Sequence, residues 1–382
     1  MEVAVMPQLW KISREVKRLL WKPVYLPVNA LSFWFGATYY DLFHSHKRRI
    51  VAGQQSSSVR KAIYLIYPSS GLLPTHLTTL KYLASKGLSV TVVSNLPLNP
   101  DEEISLLQFC HRYIERPNFG YDFGGYRDGV LSLKSELSET DQLLLINDSA
   151  WFPIHAETDW LDDIQALNVD FAGAVSNYGV PRPNPESFRE MSFDYRTDHK
   201  NFHYCSFALS IGANILRSPG FFDFWKHFPL TNKKNRTVRR GEIGLTAWVL
   251  KNGFSHGDTV GIANLVQFLE TLEDRRLLEI ATQTIIPEDA RMKSVKADLL
   301  PSLENMSRQE LIRFILTATA RQGAAYALAD FLIFERGYPF LKKSPLALDP
   351  EAAKISLRIL EKIDTAAARE ALAEAQVLRQ PA

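Results

Sequence analysis

The stretch RPNFGYDFGGYRDG, residues 116–129, is followed after a polar interval by DQLLLINDSAW, residues 141–151. In the second, a wholly apolar run stops abruptly at Asn147-Asp148-Ser149, the pattern of a buried strand whose carboxyl end carries polar groups. Two similar runs lie upstream, AIYLIYP (62–68) and LSVTVVSN (88–95), separated by a helical spacing over 77–85 that stops before Gly87. A shorter strand is expected over 112–115, a helix over 128–137 and a further strand in VDFAGAVS (169–176). Strands with near-continuous apolar runs, alternating with helices, imply an α/β fold: a Rossmann-type, mostly parallel sheet with helices on both faces. Ligands of such sheets collect at the carboxyl ends of strands. The glycine-rich stretch and Asn147-Asp148-Ser149 both fall at such ends, in one crevice.

After about residue 260 strand signals fade, and residues 308–337 and 349–378 read as helices, a C-terminal α-helical appendage. The chain therefore divides into a basic, aromatic segment (1–60), an α/β domain (61–260) and a mainly helical region (261–382). In the first segment Trp10, Trp21, Trp34 and Phe35 alternate with Lys11, Arg14, Lys17, Arg18 and Lys22. That composition suits either peripheral contact with the inner face of a membrane or a helix and loop packed on the domain. The uncharged run 24–40 is interrupted by Pro27, Asn29 and Gly36 and is short for a bilayer span. AGQQSSSVR (52–60) reads as a linker.

With 44 Lys and Arg against 42 Asp and Glu, the net charge of +2 gives no support to a nucleic-acid partner. Two cysteines, Cys110 and Cys205, are too few for a disulfide framework or a cysteine zinc site. Together with an opening that lacks signal-peptide organisation, this points to a cytoplasmic protein.

Asp148, at the exit of an apolar strand, could hold a hard cation if phosphates supply the remaining oxygens. Capping a turn is the other reading, since Asn, Asp and Ser commonly do so. Gly120, Gly124, Gly125 and Gly129 permit tight turns or close approach of backbone to ligand, and Arg116 could face a phosphate. No GxGxxG or Walker pattern is present, so the usual dinucleotide and P-loop readings lack support.

Taken in order, these signals resemble the rhamnan synthesis F family of bacterial glycosyltransferases. Arg116, Asn118, Gly120, Asp122, Gly124, Tyr126, Asp128, Gly129, Asn147, Asp148 and Ser149 meet the family pattern, and Gly125 stands where alanine is usual. The likeness continues through DFAGAVSN, then through His203, Ser206, Phe207, Phe221, Phe224 and Trp225. It ends with GEIGLTAWVLKNGF and YPFLKK, covering roughly residues 60–345. Tyr204 and Cys205 depart from the pattern.

The resemblance implies a GT-A type fold whose strand end holds a donor diphosphate, often through Mg2+ or Mn2+. Asn-Asp-Ser offers one aspartate where an Asp-x-Asp site has two. The implied roles follow. Asp148 neutralises the leaving diphosphate with the metal. Asn118, Gly120 and Asp122 hold the nucleoside and ribose, and Arg116 meets a phosphate or braces the loop. Gly124, Tyr126, Asn147 and Ser149 complete the donor-binding set. Glu242 is the base that activates the acceptor, or else a first-turn acid favoured by the helix dipole.

His203 is read as a third-position metal ligand, an acceptor contact or a structural residue. Arg239 and Arg240, in NKKNRTVRRGE (232–242), meet a phosphate of the donor or of a lipid-linked acceptor, or the anionic inner leaflet, or else belong to a solvated loop. Trp225 and its Phe neighbours read as helix core. The implied reaction moves rhamnose, with inversion, from a nucleotide-sugar donor such as dTDP-rhamnose. The acceptor is a growing cell-surface polysaccharide or a lipid-linked glycan. The competing reading is a non-catalytic component of a polysaccharide assembly machine that binds nucleotide sugar or glycan.

Overall fold

Along the central strands successive side chains alternate between two apolar layers, as the pleat of a fully covered strand requires. Ala62, Tyr64, Ile66, Leu144 and Ile146 point into one layer. Ile63, Leu65, Leu143 and Leu145 point into the other. The computed structural model describes residues 30–31, 33–155 and 159–378. The strands are β1 Arg49–Ala52, β2 Arg60–Ile66, β3 Ser89–Ser94, β4 Arg112–Glu115, β5 Gln142–Asn147 and β6 Ala150–Trp151. They continue as β7 Phe171–Gly173, β8 Ser176–Asn177, β9 His203–Tyr204, β10 Ala208–Gly212, β11 His256–Asp258 and β12 Leu341–Lys342.

The main sheet runs β1-β4-β3-β2-β5-β10-β7-β11. Strands β2 to β5 are mutually parallel, β1 and β10 are reversed, and β7 and β11 resume the common direction. The expected mostly parallel α/β sheet covered on both faces is thus present. One face carries the Pro74–Ser85 helix and, in the same apolar layer, the helices of the C-terminal region. The other carries Tyr121–Ser132, Pro219–Lys226 and Gly244–Lys251. Phe221 and Trp225 are wholly buried there, as core residues.

Two elements differ from the sequence expectation. The helix expected over 128–137 occupies Tyr121–Ser132, so Gly124, Gly125 and Gly129 lie within it rather than in a turn. Their use is close packing: a Cβ on Gly125 would stand 2.4 Å from Leu65 Cδ1 and one on Gly129 2.8 Å from Ile63 Cγ2. The strand expected over 169–176 breaks into β7 and β8, because after Gly173 the chain leaves the sheet and Ser176-Asn177 pair with β9 instead.

The C-terminal region also returns a strand to the crevice. β12 pairs antiparallel with β6, setting Lys342 opposite Ala150 and Leu341 opposite Trp151. Phe340 stacks on Phe152 at 4.3 Å and meets Trp160 edge-on at 5.1 Å. Aromatic pairs of this kind add about 0.5–1.5 kcal/mol to the burial of their area. The pairing holds the YPFLKK segment against the tip of β5. At the other edge, Arg127 grips Asp41 through two bonds of 2.8 and 2.7 Å and so ties the 33–43 helix to the body.

Candidate functional site

From β2 the chain steps to β3 and β4 on one side, then returns to β5 on the other. The carboxyl ends of β2 and β5 therefore flank a topological switch point, where open α/β sheets bind ligands. A groove of 650 Å³ opens there, lined by Tyr67 to Ser70 after β2 and by Asp148 and Ser149 after β5. Lys343 and the Ala366–Leu378 helix complete its walls.

Asp148 is fixed at the groove by the first turn of the helix that follows β2. His76, third residue of that helix, accepts the Leu73 N–H on Nδ1 at 3.2 Å, the place a capping-box Glu or Gln usually takes. With Nδ1 accepting, the ring proton sits on Nε2, which lies 3.3 Å from Asp148 Oδ2. The Tyr67 N–H donates to the same oxygen at 2.7 Å. Burial pushes the Asp148 carboxyl up, but His76, Lys343 and the Tyr67 N–H outweigh it and hold the group below the usual carboxylate range. Asp148 is thus an ionised carboxylate beside a large groove, with Oδ2 anchored.

On the other side of the strand tip lies a smaller cavity of 70 Å³, lined by Asp122, Ser206, Lys234 and Glu242 among others. A chain of hydrogen bonds joins the two sides. Lys342 Nζ donates to Ser149 Oγ at 2.6 Å, Ser149 Oγ to Asn147 Oδ1 at 2.5 Å, and Asn147 Nδ2 to Asp122 Oδ2 at 3.0 Å. Asp122 lies in the first turn of the Tyr121–Ser132 helix and follows two residues of positive φ, Gly120 at 86° and Tyr121 at 52°. The second is costly for a residue with a side chain and is the sort of strain found at functional sites. The Asp122 carboxyl is pushed up to about 6, first by burial and then by Asp148, with Lys342 opposing and Glu242 adding to the rise. Asp122, Asp148 and Glu242 therefore share one electrostatic neighbourhood.

Glu242 sits in a single π-helical turn, Arg239–Ile243, a local widening frequent at functional sites. Its Oε1 accepts the Ser206 hydroxyl at 2.7 Å and the Ser206 N–H at 3.2 Å, and its Oε2 lies 3.6 Å from His203 Nε2. His203 Nδ1 bonds the Asn201 carbonyl at 2.8 Å. Read from sequence as metal ligands together, Asp148 and His203 engage different partners, and the pair forms no ready-made site. Among the described residues no group of three or more His, Cys, Asp or Glu side chains is placed to hold a metal. The donor set nevertheless suits an ion shared with phosphates: one ionised carboxylate, anchored through one oxygen, facing an open groove.

Several expected donor contacts have other employment. Arg116 is buried, and its guanidinium donates to Asp128 (2.7 Å), Asn95 (2.5 Å) and the Phe119 carbonyl (2.7 Å). It braces the loop rather than meeting a phosphate. Asp128, wholly buried, also accepts from Tyr40 and Arg48. Tyr126 is buried too, its hydroxyl donating to the Ser206 carbonyl at 2.8 Å. Gly124 packs beneath the Phe119 carbonyl, Gly120 donates its N–H to Asn232 and Asn118 is exposed. Arg240 is turned to the Pro229 carbonyl and the Phe33 ring. Arg239 lines a separate cavity with Lys200 and Asn201.

Three side chains at the crevice were not singled out as site residues from the sequence: His76, Lys342 and Lys343. The lysines belong to YPFLKK, whose likeness to a family element was the available signal. Nothing in the sequence marks His76.

Residues 90–271 match the family model described as rhamnan synthesis protein F, the family that the Arg116–Gly129 and Asn147–Ser149 motifs resemble. A Sinorhizobium fredii (strain NBRC 101917 / NGR234) protein described as "Uncharacterized protein y4gN" is 32% identical over 270 residues. That alignment covers 70% of this chain and 65% of the relative, so the chain spans just under two thirds of the relative's length. Among solved structures, a mannosyltransferase from Pyrobaculum calidifontis in complex with GDP-Man and Mn2+ aligns over 92% of this chain and 95% of its own, at 12% identity and a TM-score of 0.32. Core-mannan synthase A from Aspergillus fumigatus, in a Mn/GDP form, aligns over 52% and 72% at 9% identity and a TM-score of 0.30.

Proposed function

We propose that this chain is a glycosyltransferase of GT-A type that takes its sugar from a nucleotide-diphosphate donor bound in the groove between the ends of β2 and β5. The observation that carries the reading is Asp148, held ionised at a switch-point groove large enough for such a ligand. The family match supports a rhamnosyl donor such as dTDP-rhamnose and a cell-surface polysaccharide as the destination.

A bound Mg2+ or Mn2+ would supply Lewis-acid stabilisation of the departing diphosphate. Asp148 would hold it, sharing its coordination with donor oxygens. Lys342 and Lys343 bring two ammonium groups to the same strand tip, where negative charge grows as the sugar leaves. Lys343 is bonded to Glu374, which also accepts the Trp151 indole N–H, so its position is set by the C-terminal helix. Asp122 and Asn147, bonded to each other, would orient the donor from the opposite side.

Glu242 is the base in this reading. Ser206 and His203 fix its carboxylate at the rim of the smaller cavity, where an acceptor hydroxyl would lose its proton as it attacks the anomeric carbon. A single displacement inverts the anomeric centre, so a β-linked donor yields an α-rhamnoside. The test is transfer from dTDP-rhamnose by the wild type and Glu242→Gln, with the product anomer read by NMR. An inverted product and a defect confined to turnover support the reading. Donor binding without transfer under any acceptor would instead identify a binding component.

A further inference from the structure

Helix 33–43 is amphipathic in the wrong sense for a soluble surface. Only Gly36 and Tyr40 are buried, with Ala37 half-buried between them, a narrow stripe one turn apart. A Cβ on Gly36 would stand 2.2 Å from the Leu230 carbonyl oxygen, so the stripe is pressed onto the body of the molecule. The outward side should then be polar. Instead it presents Trp34 (73% exposed), Leu42 (67%), Phe43 (58%) and Phe35 (57%), with Leu31 and Tyr39 beside them. This run holds a large share of the exposed large hydrophobics of the described chain, gathered within thirteen residues (31–43). A contiguous apolar patch of this kind marks a contact surface.

The surroundings say what the contact is. Arg240 lies over the Phe33 ring at 5.1 Å and belongs to a segment with Lys233, Lys234, Arg236 and Arg239. Lys47 follows the helix, while its acid, Asp41, is already paired with Arg127. Trp, Tyr and Phe over a cationic rim are the composition of a helix lying in the plane of an anionic bilayer surface. Among the described residues no helix is long and apolar enough to cross a membrane.

The geometry points to helix 33–43 and the 233–240 cations as a docking face for an anionic lipid surface. The face is continuous with the smaller cavity. Tyr39 packs on Phe119 at 6.1 Å, and Tyr121 and Lys234 line that cavity beside Glu242. Docked there, the molecule sets Glu242 near the lipid headgroups, where an acceptor anchored in the membrane presents its sugar.

The test is co-sedimentation of the full chain with vesicles of phosphatidylcholine and of an equimolar phosphatidylcholine–phosphatidylglycerol mixture, with light scattering for oligomeric state. Partition into the anionic vesicles alone is expected, weakening as salt rises. Trp34→Ser with Phe35→Ser should lower the partition coefficient by about tenfold or more. Leu42→Ser with Phe43→Ser should act alike, and Leu300→Ser, an exposed apolar site elsewhere, should leave partition unchanged. Because the four side chains are exposed, the variants should keep the wild-type melting temperature. Three outcomes overturn the proposal: no partition of the wild type, partition that ignores both double substitutions, or a wild-type dimer that they dissociate while vesicles capture nothing. Partition is independent of sugar transfer, so its failure and that of the transferase reading are separate results.

Discussion

Replacing Asp122 with asparagine should make the protein more stable at neutral pH and less able to hold its donor. The carboxyl is pushed up to about 6 in the folded chain, by burial first and by Asp148 and Glu242 after it. In the unfolded chain it titrates near 3.9, roughly. A carboxyl raised by folding binds its proton more tightly in the native state. Its contribution to stability is therefore complete below about pH 4 and disappears as pH rises through about 6. A difference of about two pH units is worth about 3 kcal/mol. Asp122 is only partly buried by surface area, so solvent screening reduces this to about 1–2 kcal/mol. Asp122→Asn removes the titration and the repulsion from Asp148. Urea unfolding of both proteins at about pH 4 and about pH 7.5 measures the difference directly. The variant should gain about 1–2 kcal/mol on the wild type between the two conditions. Equal gaps at the two pH values, or a variant less stable at the higher one, would refute the electrostatic account of the strand tip.

Other substitutions separate the roles given to the remaining residues. Glu242→Gln should lower kcat by about 10²–10⁴ while leaving donor affinity within about twofold, because its contacts run to Ser206 and His203 on the acceptor side. Lys342→Met should weaken donor binding by about tenfold, the worth of one charge-assisted contact, as read by calorimetric titration. Arg116→Met should cost about 3–5 kcal/mol in urea unfolding, since it leaves Asp128 with less compensation in a buried site, and donor affinity of the folded fraction should stay unchanged. Phe340→Ala should cost about 3–5 kcal/mol and loosen the pairing that brings Lys342 to the strand tip.

The sheet was legible because its strands carry apolar runs too continuous for any half-exposed element, and their order with helices constrains them to run parallel. The polar tip of β5 was legible for the same reason: Asn147-Asp148-Ser149 interrupts a run that burial would otherwise extend. The glycines were misleading. Gly124, Gly125 and Gly129 have the composition of a ligand loop, yet their missing side chains let a helix settle on Leu65 and Ile63, a long-range packing demand with no local signature. Arg116 likewise carries a charge suited to phosphate, and only the fold shows it paired with Asp128 in the interior. His76 and the Lys342-Lys343 pair reach the site from elements separated from Asp148 by about 70 and 190 residues, respectively, distances that no spacing rule spans.

Hydrogen exchange with and without dTDP-rhamnose and Mn2+ bears most directly on the donor groove. The account predicts protection of the Tyr67–Leu72 and Asp148–Ala150 amides, lost in Asp148→Asn. Protection confined to the Arg239 cavity, or protection that Asp148→Asn leaves intact, would contradict it.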